Sequence, residues 1–221
     1  MAFKSDVSGL GVRVLFPTFS LEKQFDDSAN LNRELEALIL AARERDPAGM
    51  RASNVGGWHG QADFFENSNP ACSVVKSRAV ELCGRLATLY APNGGPLNYS
   101  IVGWPVINGP GNYQFAHVHS NHHFSGVYYV RSGNPSTELN PLNGALEFID
   151  PRGSGPAMFN NRTLSTQGPR ELVHPVDGLM IVFPSWCIHC VHVYEGAASR
   201  IAVAFNVCAL TPEQAARGGH L

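Results

Sequence analysis

From Leu97 to Leu210 the chain breaks into short apolar runs divided by turn-forming residues, and this punctuation constrains the fold more than any other feature. The runs are Ser100–Pro105, Phe124–Val130, Ala145–Ile149, Glu171–His174, Leu179–Phe183, Ile188–Tyr194 and Ile201–Val207. Glycine, proline and asparagine fill the gaps between them. Many short strands with such turns argue a sandwich or a closed barrel. The residues before Leu97 read differently. Val12–Phe16 alternates like a short strand. Leu31, Leu35, Leu38 and Ala42 recur at helical spacing and mark a first helix ending near Asp46-Pro47. Asn69-Pro70 reads as a helix cap followed by proline in the first turn, with Val75, Ala79, Leu82, Leu86 and Leu89 as the apolar stripe of a second helix. The expectation is a single domain over 1–221. Residues 1–96 would supply an N-terminal strand and two flanking helices, and 97–210 an all-β core.

Charge and composition narrow the function. The formal net charge is −2, and the densest basic stretch, Arg43–Arg51, contains two acids and breaks at Asp46-Pro47, so it reads as the solvated end of a helix rather than a nucleic-acid surface. Met1–Asp6 lacks a long apolar segment, and no run of eighteen apolar residues occurs, so neither export nor a membrane span is expected. Five cysteines without framework spacing suggest a reducing, cytoplasmic setting. Homo-oligomerisation is left open.

Four of the nine histidines fall between positions 117 and 123. His117 and His119 stand two apart, so on a strand they share a face, and imidazole ligates iron, zinc and similar cations. Read alone, the pair also fits an ordinary polar strand. A second segment, Gly178–His189, runs as an apolar strand to Pro184, turns, and places His189 at the start of the next strand, where it can meet the pair. His122 and His123 read as rim or supporting residues. His59, His174 and His220 carry no site expectation. Cys187 and Cys190 read as half-buried wall cysteines, and His192 faces the same way as Cys190 without an obvious third partner.

Arg200 opens a strand in which small and apolar residues alternate. Buried there, it needs an anion, and a carboxylate fits its fork. At the barrel mouth it would instead pair with Glu195 or solvent. Asp150–Arg170 has no periodicity and carries Arg152, Arg162 and Arg170, which suggests a functional lid.

Together these residues resemble a group of 2-oxoglutarate and iron-dependent oxygenases. The likeness rests on Trp104-Pro105-Val106-Ile107-Asn108, Gly109, Gly111, His117-Val118-His119, Ser125-Gly126-Val127-Tyr128-Tyr129-Val130 and Asp150-Pro151-Arg152. It continues through Phe183-Pro184-Ser185-Trp186, His189, Val191, Arg200 and Phe205-Asn206. The resemblance implies a double-stranded β-helix, a jelly-roll barrel, holding Fe(II) on His117, His119 and His189. It implies 2-oxoglutarate as co-substrate, with Arg200 gripping its far carboxylate and Tyr128, Tyr129 or Asn108 adding a contact. Molecular oxygen and a small-molecule substrate complete the set, with no catalytic residue beyond the metal ligands. Trp186, Phe183 and Arg152 are the expected substrate wall. One departure stands out: most of the superfamily has a carboxylate where this chain has His119. Ala202 likewise replaces a common hydroxyl residue. Two rival readings follow: a cupin-type three-histidine enzyme that does not use the keto acid, and a non-catalytic jelly-roll module that binds a sugar or protein.

Overall fold

The computed structural model describes Gly11 and residues 16–138, 140–152 and 170–217. The expected strand at Val12–Phe16 and the expected lid at Asp150–Arg170 lie outside the described residues except at their ends. Along the chain come β1 (Leu21–Gln24), α1 (Ser28–Arg45), β2 (Asn54–Val55), β3 (Trp58–His59), a 3-10 turn at Phe64–Glu66 and α2 (Pro70–Tyr90). Then follow β4 (Asn98–Asn108), β5 (Tyr113–His117), β6 (Phe124–Arg131), β7 (Leu146–Ile149), β8 (Arg170–Val173), β9 (Leu179–Pro184), β10 (His189–Val191), β11 (Arg200–Leu210) and the short α3 (Pro212–Ala216). Among the described residues no helix is long and apolar enough to cross a membrane.

The strands form two antiparallel sheets, a major one in the order β1-β9-β6-β11-β4-β3 and a minor one in the order β2-β5-β10-β7-β8. The strand order resembles the jelly roll, but neither sheet closes on itself. This corrects the expected barrel. Edge strands β1 and β3 bound one sheet, β2 and β8 the other, and the sheets meet through side chains rather than a continuous ladder.

Strand alternation builds two cores. On the outer face of the major sheet, Tyr128, Val130, Met180, Val182, Ile201, Val203, Phe205 and Val207 pack with Leu35, Ile39, Val75, Leu82 and Leu86 of the helices. Each such fully buried aliphatic side chain contributes about 1.5–3 kcal/mol. Between the sheets, Tyr129, Ile181, Phe183 and Ala202 meet Leu146, Val173 and Val191. Asn69 caps α2 by accepting a 2.7 Å bond from the Ala71 N–H, with Pro70 in the first turn. The Asp27 carboxylate, just before α1, instead accepts from Arg78 of α2 at 2.8 Å and ties the helices together. Gly126 is required by packing: a Cβ there would run into the Phe205 ring and the Ile181 carbonyl.

On β11 the alternation puts Arg200, Ala202, Ala204 and Asn206 on the face between the sheets, opposite Asn108, Val106, Trp104 and Val102 of β4. The two alanines leave room between the polar ends of that row.

Candidate metal centre

His117 closes β5 directly opposite His189, the first residue of β10. His119 lies beyond the end of β5, so strand alternation does not align the pair as expected. Its backbone N–H donates to the Ser185 carbonyl at 3.0 Å, and this bond to the turn after β9 folds it back towards the other two. The ligand-capable atoms of His117, His119 and His189 lie within 4.8 Å of one another. Their ring centroids are 4.3 Å apart for His117–His189, 5.0 Å for His117–His119 and 5.1 Å for His119–His189.

Hydrogen bonds fix which nitrogen is available. A carbonyl only accepts, so Nδ1 of His117 must donate to the Phe115 carbonyl at 2.6 Å, and Nδ1 of His189 to the Cys187 carbonyl at 2.8 Å. Each neutral ring then keeps its lone pair on Nε2, the form a metal takes. The Nε2 of His117 is 3.4 Å from the Ser53 hydroxyl. Behind His119, Nδ1 faces the Asn206 side-chain amide at 3.4 Å. That amide accepts from Ser125 Oγ at 2.7 Å, and Ser125 Oγ meets Ser185 Oγ at 2.8 Å, all buried.

Burial, then the neighbouring imidazoles, hold His119 down at about 3. Burial holds His189 at about 4 and also lowers His117. All three are neutral at pH 7, so no proton has to leave before a cation enters.

A second polar group lines the same inter-sheet space. Arg200 is only 4% exposed. It donates to the Gly144 carbonyl at 2.5 Å and lies 5.6 Å from the Tyr129 ring centroid. Among the described residues no carboxylate pairs with it. The Glu195 carboxylate, the expected alternative partner, accepts from Asn140 at 2.9 Å instead. Asn108 stands opposite Arg200 and accepts from Gln114 Nε2 at 3.3 Å. Asn108 Nδ2 and Gln114 Oε1 are buried and have no partner among the described residues. Two orphaned polar atoms, one of them on the residue across the ladder from a guanidinium without a counter-charge, fit a polar ligand. Gln114 reaches this face because a register shift pairs Val191 with Gln114 and His189 with His117. Its rung is thus one two-residue step along β10, about 7 Å, from the histidine rung. The cluster therefore fits a divalent cation, and the Arg200 end fits an anion.

The other expected residues divide. Tyr128 turns to the helix side, where its hydroxyl donates to Asn32 of α1 at 2.6 Å. Its neighbour Tyr129 takes the Arg200 face. Phe183 is buried and its ring is edge-on to His189, centroids 4.9 Å apart. Trp186 is 51% exposed in the turn after β9. Arg152 is exposed and bound to Asp150. The aromatic rings found against the histidines are those of Phe183 and of Phe148 and Trp104, the last two of which carried no site expectation. His59 stacks on Trp104 at 5.5 Å. His123 accepts from the Ala209 N–H, and His122 donates to the Ser120 carbonyl. Neither joins the cluster.

Residues 103–206 match a protein family described as "Putative 2OG-Fe(II) oxygenase". No curated protein matches the chain. Solved structures with the same fold include a prolyl-4-hydroxylase from Pseudomonas putida, 19% identical over 86% of this chain and 91% of that one, TM-score 0.57. A prolyl hydroxylase from Trichoplax adhaerens, solved with a hypoxia-inducible-factor peptide, is 12% identical over 90% and 87%, TM-score 0.59. HygX from Streptomyces hygroscopicus, solved with nickel and 2-oxoglutarate, is 10% identical over 86% and 83%, TM-score 0.55. The two sheets that carry His117, His119, His189 and Arg200 are thus similar in sequence to a 2OG-Fe(II) oxygenase family and share the two-sheet fold of these enzymes.

Proposed function

We propose that this chain is an iron-dependent oxygenase whose Fe(II) is held by His117, His119 and His189, with 2-oxoglutarate as co-substrate. The supporting observation is that three neutral imidazoles and a buried arginine with no counter-charge among the described residues face the same space between the two sheets. The metal would supply a site where a 2-oxo acid and oxygen bind side by side. The chain's own residues orient and exclude. The Phe115 and Cys187 carbonyls fix two ligand rings, and the Ser125–Asn206 pair backs the third. Arg200 and Asn108 offer donors to a distal carboxylate. Phe183 and Phe148 keep water from the His189 side. The reading extends to a small-molecule substrate of unspecified class.

One observation favours a second reading. Among the described residues the cluster contains no carboxylate, unlike the two-histidine, one-carboxylate set usual for non-haem iron oxygenases. Three histidines are also the set of a cupin-type metalloenzyme that needs no keto acid. Anaerobic titration of the iron-loaded chain with 2-oxoglutarate decides between them. The first reading expects a visible metal-to-ligand charge-transfer band and, on admitting oxygen, succinate. Tight iron binding with neither band nor succinate overturns the first reading and favours the second.

A further inference from the structure

His189 faces the space between the sheets, so its neighbours Cys190 and, two residues on, His192 belong to the opposite face of the minor sheet. Glu147 of β7 stands directly opposite Cys190 in the ladder. One ligand-capable atom from each of Glu147, Cys190 and His192 lies within 4.8 Å of the others. His192 Nε2 is already 2.6 Å from Glu147 Oε2, and Arg170 of β8 approaches the same oxygen at 3.5 Å. Glu147 is 8% exposed. The histidine–glutamate contact explains two of the three residues. It does not explain a thiol placed across the ladder from the carboxylate and within ligand reach of both.

We propose that Glu147, Cys190 and His192 form a second metal site, for zinc, on the outer face of the minor sheet. The donor set is one sulfur, one imidazole nitrogen and one carboxylate oxygen. Zinc accepts all three types, whereas an oxygen-preferring cation such as magnesium or calcium has no use for the thiol. A tetrahedral zinc would set the donor–donor separations at roughly 3.3 to 3.6 Å. On binding, the histidine–glutamate contact opens slightly and the thiol closes in. The fourth position is left to water. Cys190 gives up its proton to solvent as the thiolate binds. Bound there, zinc clamps β10 to β7 on one face while His189 of β10 works on the other.

Cobalt(II) substitution tests this on the full reduced apo chain under anaerobic conditions, because of the two clusters among the described residues only this one has sulfur. Two equivalents should bind, and one should bring a sulfur-to-cobalt charge-transfer absorption that zinc abolishes. Cys190→Ser should remove that absorption and one equivalent. The double variant His117→Gln/His119→Gln should lose the other equivalent and keep the absorption, so the two centres fail separately. X-ray absorption of the wild-type chain loaded with two equivalents of zinc needs no variant and should show sulfur at about 2.3 Å, averaging about half a sulfur per zinc. Cobalt binding without sulfur absorption, a zinc shell of nitrogen and oxygen only, or an absorption that survives Cys190→Ser would overturn the proposal.

Discussion

Arg200→Met separates a ligand-binding arginine from a structural one. The side chain is 4% exposed, with one hydrogen bond to the Gly144 carbonyl and the Tyr129 ring beneath it. Removing it forfeits about 1.5–3 kcal/mol for the charge-assisted bond and about 0.5–2 kcal/mol for the ring contact. Against this, it relieves the chain of a buried charge without a counter-charge, a penalty of several kcal/mol. The stability of the apo protein should therefore change by less than about 2 kcal/mol. A buried arginine anchored by a carboxylate would cost about 3–5 kcal/mol when removed. Binding should respond very differently. Two charge-assisted bonds to a carboxylate at about 1.5–3 kcal/mol each sum to about 3–6 kcal/mol, a loss of about 10²- to 10⁴-fold in affinity. Arg200→Lys keeps the charge without the fork and should fall between. Urea denaturation gives the first quantity. Calorimetric titration of the metal-loaded chain with 2-oxoglutarate under argon gives the second. A fall of 3 kcal/mol or more in stability with unchanged keto-acid affinity refutes the reasoning and makes Arg200 a structural residue.

Three further outcomes are expected. His189→Ala should abolish iron retention through gel filtration, read by elemental analysis, whereas His122→Ala, whose ring is held by the Ser120 carbonyl outside the cluster, should retain it. Asn206→Leu should weaken iron binding by about 10- to 100-fold by leaving the His119 ring unsupported, and chelator competition measures this. The apo chain should lose stability as pH falls below 6.5. With His119 at about 3 and His189 at about 4, the unfolded chain holds more protons between those values and 6.5, so their contribution is complete above 6.5 and disappears as pH drops through 4 towards 3. Urea midpoints at pH 7 and pH 5 should move less in His119→Gln/His189→Gln than in the wild type, and equal shifts would contradict the assignment.

The strands that bury an alternating face were legible in the sequence, and so were both helices, because Leu35, Leu82 and Leu86 mark period 3.6 and Ile201, Val203 and Phe205 mark period 2. β1 was not legible. Leu21-Glu22-Lys23-Gln24 buries almost nothing and is held at the sheet edge by its backbone pairing with β9. The ligand set was readable from residue type and spacing, yet the means of bringing His119 into place is a loop hydrogen bond that no periodicity encodes. Two tyrosines in a row do not say which faces inward. That choice depends on which face the helices cover and on the register shift where β6 passes Ile201 and Ala202. Gln114 was invisible for a similar reason: an even-odd rule puts it opposite His117, and only the irregularity between His189 and Val191 returns it to the same side.

Electrostatics links the two departures from the common oxygenase pattern. A carboxylate ligand would cancel one of the two charges of an iron(II) ion, but His119 cancels none. Arg200 adds a further positive charge in the same inter-sheet space, and the low effective dielectric there leaves both poorly screened. The chain itself does not neutralise this interior with any described acid. An interior of that sign favours a dianionic ligand over a neutral one. Each imidazole-for-carboxylate exchange strengthens the attraction, while the loss of a hydroxyl at Ala202 removes one directional contact. Under the proposed function, long-range charge at His119 and the Asn108 amide donor compensate for the missing hydroxyl. On that reading, a site that differs from the common pattern at both positions keeps one metal end and one anion end.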